Sequence, residues 1–175
     1  ARDYPFHLTP IYQPDKWQHK AHYGNAPMLL SSGQWTVHGR MTISASTAKL
    51  VGEGFYTVFK ASPVNTSGII HVTESNVLIK GIRFNMIGNA GKIIEIASSC
   101  SNVTIRDCSF VGRQAANAIY ATEADGLTIE NCYFTGGTND VIYVLDSDNV
   151  IIRNNRIAAG GGNEINLDST TAGTV

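Results

Sequence analysis

Four nine-residue segments of this chain align without gaps: Asn76–Phe84 (NVLIKGIRF), Asn102–Phe110 (NVTIRDCSF), Gly126–Phe134 (GLTIENCYF) and Asn149–Ile157 (NVIIRNNRI). Their second residues, Val77, Val103, Leu127 and Val150, follow one another at intervals of 26, 24 and 23 residues. A repeat of this length, built from short β-type runs, cannot bury its apolar side chains alone. It must stack on its neighbours, which is the signature of a solenoid.

A second alternating pattern keeps the same beat. Ile70-His-Val72, Ile94-Glu-Ile96, Ile119-Tyr-Ala121, Ile142-Tyr-Val144 and Ile165-Asn-Leu167 begin at intervals of 24, 25, 23 and 23 residues. Period-two alternation describes strands with one face buried and one outward. Together with the bend that carries Ile82 and Phe84, each coil has about three short strands, joined by Gly/Asn turns such as Gly136-Gly-Thr-Asn139. Stacking at the strand spacing of about 4.8 Å predicts inward columns Ile79/Ile105/Ile129/Ile152 and Phe84/Phe110/Phe134/Ile157. An α/β domain is the competing arrangement. No intervening stretch is long or periodic enough for its crossover helices. The expected fold is therefore all-β, a right-handed single-stranded parallel β-helix of about six coils, its hand following the usual sense of parallel connections.

Charged residues make up only 15 % of the chain and glycines number 17, a balance that suits short turns around a stacked core. The net charge of −1 gives no electrostatic case for nucleic acid or an anionic membrane as partner. No apolar run approaches membrane-spanning length, and the opening residues lead to the expectation of no basic-then-apolar leader. The opening Ala-Arg-Asp-Tyr fits removal of an initiator methionine as well as other processing. Cys108 and Cys132 fall at one inward position of neighbouring coils, between Ile82 and Asn155. They are expected, with Cys100, as reduced core thiols rather than a disulfide or metal pair. No cofactor or metal is expected.

Residues 1–28 stand apart from the repeats. They hold Tyr4, Phe6, Tyr12, Trp17 and Tyr23 among prolines and histidines, without helical or strand period. The first coil of a solenoid leaves an apolar end and an unpaired edge. This segment is accordingly expected as a cap over that end or as an arm that docks on a neighbouring subunit, with 29–175 forming the β-helix domain. His19 and His22, without a third ligand or a helix, make a weak metal pattern.

The stretches Leu30-Ser-Ser-Gly-Gln-Trp-Thr-Val37, Lys49-Leu-Val-Gly-Glu-Gly54 and Asn76–Phe84 resemble the opening coils of pectate-lyase-like right-handed β-helix proteins, a group that includes bacteriophage tailspikes and related virion proteins. The resemblance covers roughly residues 28 to 167 and is specific for the fold, not for one activity. It implies lyases, hydrolases, epimerases or inert structural parts, with chemistry, where present, on outward Asp/Glu clusters. Tailspike-like members associate as trimers.

The outward columns are His71/Glu95/Tyr120/Tyr143/Asn166, with Thr73/Ala97/Thr122/Leu145/Asp168 beside it, and Lys80/Arg106/Glu130/Arg153. Neither side stacks two carboxylates in adjacent coils, the pair that glycoside hydrolysis requires. Asp146 and Asp148, with Asp125 and Asp168 in neighbouring coils, are the best acidic candidates, yet Asp, Ser and Asn are also what tight turns select. The row Tyr120, Tyr143, Leu145 has three readings: cover by the N-terminal segment, a subunit interface, or a platform for sugars. The favoured expectation is a non-enzymatic virion protein, a decoration or fibre-like subunit. It assembles as a homo-oligomer, a trimer by resemblance, through Tyr4, Phe6, Trp17, Tyr120, Tyr143 and Leu145, and contacts other virion proteins. The alternative is a polysaccharide lyase or depolymerase acting through Asp146, Asp148 and Asp168, or a saccharide-binding module dependent on Tyr143.

Overall fold

Residues 22 to 29 positions apart are paired in adjacent parallel strands. The computed structural model describes residues 9–10, 28–37, 40–61, 68–85, 91–112, 117–137, 139–158, 161–168 and 173–174. Tyr4, Phe6 and Trp17, and with them most of the expected cap or arm, fall outside the described residues; of that segment Thr9–Pro10 pairs antiparallel with Trp35–Thr36 in strand Gly33–Val37.

Three parallel ladders run the length of the stack. In the first, Leu78 pairs with Thr104, Thr104 with Thr128, and Thr128 with Ile151. In the second, Arg83, Ser109, Tyr133 and Arg156 succeed one another. The third is a separate six-stranded sheet with one strand per coil: Met41–Ile43, Ile70–Val72, Ile94–Ile96, Ile119–Thr122, Ile142–Leu145 and Ile165–Asp168. Six strands stacked this way enclose five full turns between first and last. No α-helix occurs among the described residues.

The core is the set of columns expected from the repeat. Ile79, Ile105, Ile129 and Ile152 are buried in register. Phe84, Phe110 and Phe134 stack ring on ring, at 5.1 and 4.7 Å between centroids, and Phe59 meets Phe84 edge-on at 5.8 Å. Each buried ring contributes roughly 1.5–3 kcal/mol by leaving water, and offset stacking adds about 0.5–1.5 kcal/mol per pair. Cys100, Cys108 and Cys132 are buried free thiols. Burial pushes the Cys108 thiol well above its ordinary pKa. At the last coil Asn155 takes the Cys108/Cys132 position, where its side chain accepts from the Cys132 N–H (2.8 Å) and donates to the Ile129 carbonyl (2.9 Å).

Sharp corners explain the Asn and Asp content. Thr47, Asn76, Asn102, Gly126 and Asn149 form one column of left-handed residues, with φ between 55° and 69°. Gly81, Asp107, Asn131 and Asn154 form a second, with φ between 54° and 66°. Asn, Asp and Gly enter this region at least cost. Their amides also link the coils: Asn102 Nδ2 donates to Asn76 Oδ1 at 3.2 Å. A Cβ on Gly126 would sit 2.7 Å from Asn102 Oδ1, so this corner is glycine's.

The first coils break the regularity. The sequence suggests two strands, Lys49–Gly54 and Tyr56–Phe59; the structure has one, Lys49–Ala61. Against Leu78–Asn85, Gly54 lies opposite Ile82 and Val58 opposite Arg83, so Phe55, Tyr56 and Thr57 have no counterpart in that strand and form a bulge. Thr57 is fully buried and anchors the bulge: its hydroxyl reaches the carbonyls of Leu30 and Ser31 (3.4 and 3.2 Å) and accepts the Glu53 N–H (2.9 Å). Gly52 and Gly81 face each other so closely that a Cβ on either would lie 2.5 Å from the other's carbonyl oxygen. The result displays Phe55 and Tyr56 at 65 % and 76 % exposure, while Leu29, in the neighbouring strand, is 71 % exposed.

Candidate functional site

Strand alternation turns every second residue of the six-stranded sheet outward. Thr42, His71, Glu95, Tyr120, Tyr143 and Asn166 thereby form one column in parallel register. A second column stands at the entry to the same strands, two residues before each leading isoleucine: Gly68, Lys92, Asn117, Asp140 and Asn163. The two columns interlock. Lys92 donates to Glu95 at 2.6 Å, and Arg40, from two coils before, donates to the other Glu95 oxygen at 2.6 Å. The Lys92 ammonium lies 3.5 Å from the centre of the Tyr120 ring. Tyr120 stacks on Tyr143 at 5.2 Å and 6°. The Tyr143 hydroxyl donates to Asp168 Oδ2 at 3.1 Å. Asn166 donates to Asp140 Oδ2 and the Asn163 N–H to Asp140 Oδ1, both at 2.8 Å, while Asn117 donates to the Asp140 carbonyl at 2.8 Å.

A cleft of about 280 Å³ opens along this edge, lined by Asn117, Tyr120, Asn139, Asp140, Tyr143 and Gly162. Its walls are ring edges, amides and a carboxylate. Charge is distributed unevenly along the column. Two cations, Arg40 and Lys92, converge on Glu95, whereas Asp140 and Asp168 flank Tyr143. Burial pushes the Glu95 carboxyl up, but the hydrogen bond and charge of Lys92, with His71 and Arg40, outweigh it and leave the pKa below the usual carboxylate value. Burial first, then the Arg40 charge, lowers the His71 pKa from its ordinary value despite Glu95. The hydrogen bond to Asp168 raises the Tyr143 phenol above its ordinary pKa, with desolvation and the charges of Asp168 and Asp140 acting in the same direction.

Of the outward residues singled out in the sequence, Tyr120 and Tyr143 come together, and each shields one face of the other. Leu145 is half-buried, between Thr122 and Asp168 in register. Asp168 joins this face. Asp125, Asp146 and Asp148 stay at the following corner, where Asp125 Oδ1 accepts the Asp148 N–H (2.9 Å) and Asp146 adopts φ 48°. Buried Ser147 braces that corner, donating to the Leu145 carbonyl and accepting the Ala124 N–H, both at 2.9 Å. Among the described residues no group of three or more His, Cys, Asp or Glu is placed to hold a metal ion. On the first ladder the charged column pairs with itself and its neighbours: Arg153 with Glu130 at 2.7 Å, Lys80 with Asp107 at 3.7 Å. Arg40, Lys92, Asn117 and Asp140 were missed in the sequence. The signal for three of them was present, since a polar residue recurs two positions before Ile94, Ile119 and Ile142.

Comparison with known proteins agrees with the fold. The model of the right-handed β-helix region matches residues 41–175. A crystal structure described as that of a putative glycosyl hydrolase from Parabacteroides merdae aligns with a TM-score of 0.62 at 15 % identity, covering 85 % of this chain and 80 % of that one. At such identity the likeness concerns the fold alone. No curated protein matches the chain significantly. The family match spans every strand of the third ladder, and the chain belongs to the right-handed β-helix family.

Proposed function

We propose that this β-helix contacts carbohydrate, holding a sugar in the cleft beside Tyr120 and Tyr143. The observation that carries the reading is the composition of that cleft: two tyrosines, two asparagines, an aspartate and a glycine around about 280 Å³. Polyhydroxylated ligands are recognised by aromatic surface flanked by paired amide and carboxylate groups. The volume lies just below the roughly 300–1,000 Å³ of ligand pockets and suits a single sugar ring. Binding fits better than cleavage. A glycosidase needs one carboxyl group kept protonated near neutrality, and Glu95 is driven the opposite way by Lys92 and Arg40. The similar structure described as a glycosyl hydrolase supports sugar chemistry on this scaffold only as an analogy of fold. Titration of the protein with a panel of neutral, acidic and amino oligosaccharides, followed by amide shifts in NMR spectra, tests it. Binding that perturbs residues 117–120 and 139–143 and is lost in Tyr143→Ala is expected. Silence across the whole panel at millimolar ligand contradicts the proposal.

A second reading, self-assembly as a virion component, is favoured by a different observation. Leu29, Phe55 and Tyr56 are large and at least 65 % exposed, Phe55 and Tyr56 on a bulge fastened by buried Thr57 and Leu29 in the adjoining strand. Exposed apolar groups held in a fixed conformation suit a protein contact. In this reading copies associate, as a trimer in the tailspike manner, through the first coils rather than through Tyr120, Tyr143 and Leu145. Light scattering at micromolar concentration checks it: an oligomer that dissociates in Phe55→Ser/Tyr56→Ser supports assembly, and a monomeric wild type contradicts it.

A further inference from the structure

The net charge of −1 conceals how the charges are divided over the surface. Strand Lys49–Ala61 passes from the first ladder to the second at its bulge. Before the bulge Val51 pairs with Lys80, and after it Val58 pairs with Arg83, so two cations of the next coil flank Phe55 and Tyr56. Lys49 and Lys60 lie in the bulged strand itself, and Arg106 pairs with Lys80 in the coil beyond. The carboxylates nearby are fewer and engaged. Asp107 lies 3.7 Å from Lys80 and 4.0 Å from Arg106 and serves both. Glu53 accepts the Ser32 N–H at 3.1 Å, and Glu130, next after Arg106 on the first ladder, is bound to Arg153 at 2.7 Å. Arg83 is in no ion pair among the described residues, and its Nε has no hydrogen-bond partner there. Leu29 joins the exposed rings from the coil before, since it pairs with Val51 and Val51 with Lys80. This corner is an apolar tip set among excess positive charge and held in one conformation by buried Thr57.

We propose that the corner is a membrane-surface contact: Leu29, Phe55 and Tyr56 enter the headgroup region of an anionic bilayer while Lys80, Arg83 and their neighbours face the lipid phosphates and carboxylates. The site is separate from the tyrosine cleft on the third ladder and independent of the saccharide reading. Apolar side chains rimmed by Lys and Arg bind such an interface through buried apolar area plus attraction to anionic lipid, and aromatic rings settle at headgroup level. Other occupants fit less well. Leu29 and Phe55 have no polar atom to offer a sugar hydroxyl. A symmetric contact between two copies of this corner would bring like charges together, whereas anionic lipid neutralises them. The tip also projects from a convex corner, which suits a yielding surface.

The test is sedimentation of the full chain with vesicles of phosphatidylcholine alone and of phosphatidylcholine containing one-third phosphatidylserine. Binding to the anionic vesicles is expected to be at least about tenfold tighter than to the neutral ones, and to weaken as salt rises. Lys80→Gln/Arg83→Gln should remove most of that preference, and Phe55→Ser/Tyr56→Ser should weaken binding about tenfold or more. Thermal melts equal to the wild type's establish that these surface variants are folded. Phe55→Trp gives a readout independent of them: its emission should shift to shorter wavelength with anionic vesicles, beyond any shift in the wild type. No sedimentation with either vesicle, or binding untouched by Phe55→Ser/Tyr56→Ser, overturns the proposal. So does a protein that ignores vesicles yet binds soluble dextran sulfate, or one that ignores them and forms an oligomer broken by Phe55→Ser/Tyr56→Ser; these assign the corner to a polyanion or to a second copy.

Discussion

The coils from Asn76 to Ala158 and the coils from Met28 to Ala61 use the same strands for different ends. In the later coils described outward side chains engage the coil above or below: Asn102 with Asn76, Arg153 with Glu130, Tyr120 with Tyr143. In the earlier coils, strand Lys49–Ala61 carries unmatched residues that leave Phe55 and Tyr56 in water. A solenoid that stays in register spends its surface on holding itself together. One that breaks register frees side chains for something outside it. The functional candidates on the regular part are thus clefts left beside a satisfied ladder, whereas the irregular part offers bare apolar groups.

Variants in the two regions should separate accordingly. The largest effect is expected at Phe110, whose ring lies between those of Phe84 and Phe134 at 5.1 and 4.7 Å. Phe110→Ala should cost about 3–5 kcal/mol in denaturant unfolding. Phe55→Ala, the same chemical change on the bulge, should stay within about 0.5 kcal/mol; similar costs for the two would erase the contrast. Next comes Thr57→Val, which keeps shape but removes the hydroxyl serving Glu53, Leu30 and Ser31. A loss of about 1–3 kcal/mol, with hydrogen exchange accelerated at Gly52–Tyr56 and unchanged beyond Asn102, is expected.

Gly126→Ala, in the regular corner column, forces a side chain into φ 69° against Asn102 Oδ1. It should cost about 1–2 kcal/mol, less if the Asn102 amide swings aside. The smallest effect is acid sensitivity of the charged end of the ladder. The folded pKa values of Glu95 and His71 both lie below their ordinary values of 4.5 and 6.5. Each contribution is therefore present above the ordinary value and lost as pH falls through the folded one. Stability should decline from about pH 6.5 downward and again below about pH 4.5. Because Glu95 and Lys92 are partly solvated, screening holds the Glu95 part to about 1 kcal/mol or less. Melting curves of Glu95→Gln against wild type check this, since the variant should lack the lower of the two declines.

Much of the architecture was legible because it depends on two numbers, a side-chain period of two and a coil of about two dozen residues. They place Ile79 under Ile105 and Cys108 under Cys132 without further information. They do not reveal what outward side chains do. Tyr120 and Tyr143 were recognisable as neighbours, but that their faces would close on each other and on Lys92 depends on rotamers. Lys92 and Asp140 precede their strands, and only the stacked geometry puts them beside Tyr120 and Asn166. The bulge was hidden for another reason. Gly52–Phe59 reads as the end of one strand and the start of another, and what expels Phe55 and Tyr56 is the Gly52–Gly81 approach and the Thr57 anchor, both contacts distant in sequence.

Nuclear Overhauser contacts among isoleucine methyl groups test the coil register most directly. Ile105 should show strong contacts to Ile79 and Ile129, and Ile129 to Ile152, because they are paired in adjacent strands at about 4.8 Å. Spectra in which Ile105 and Ile129 share no contact, while contacts within each coil are strong, would contradict the fold and every site derived from it.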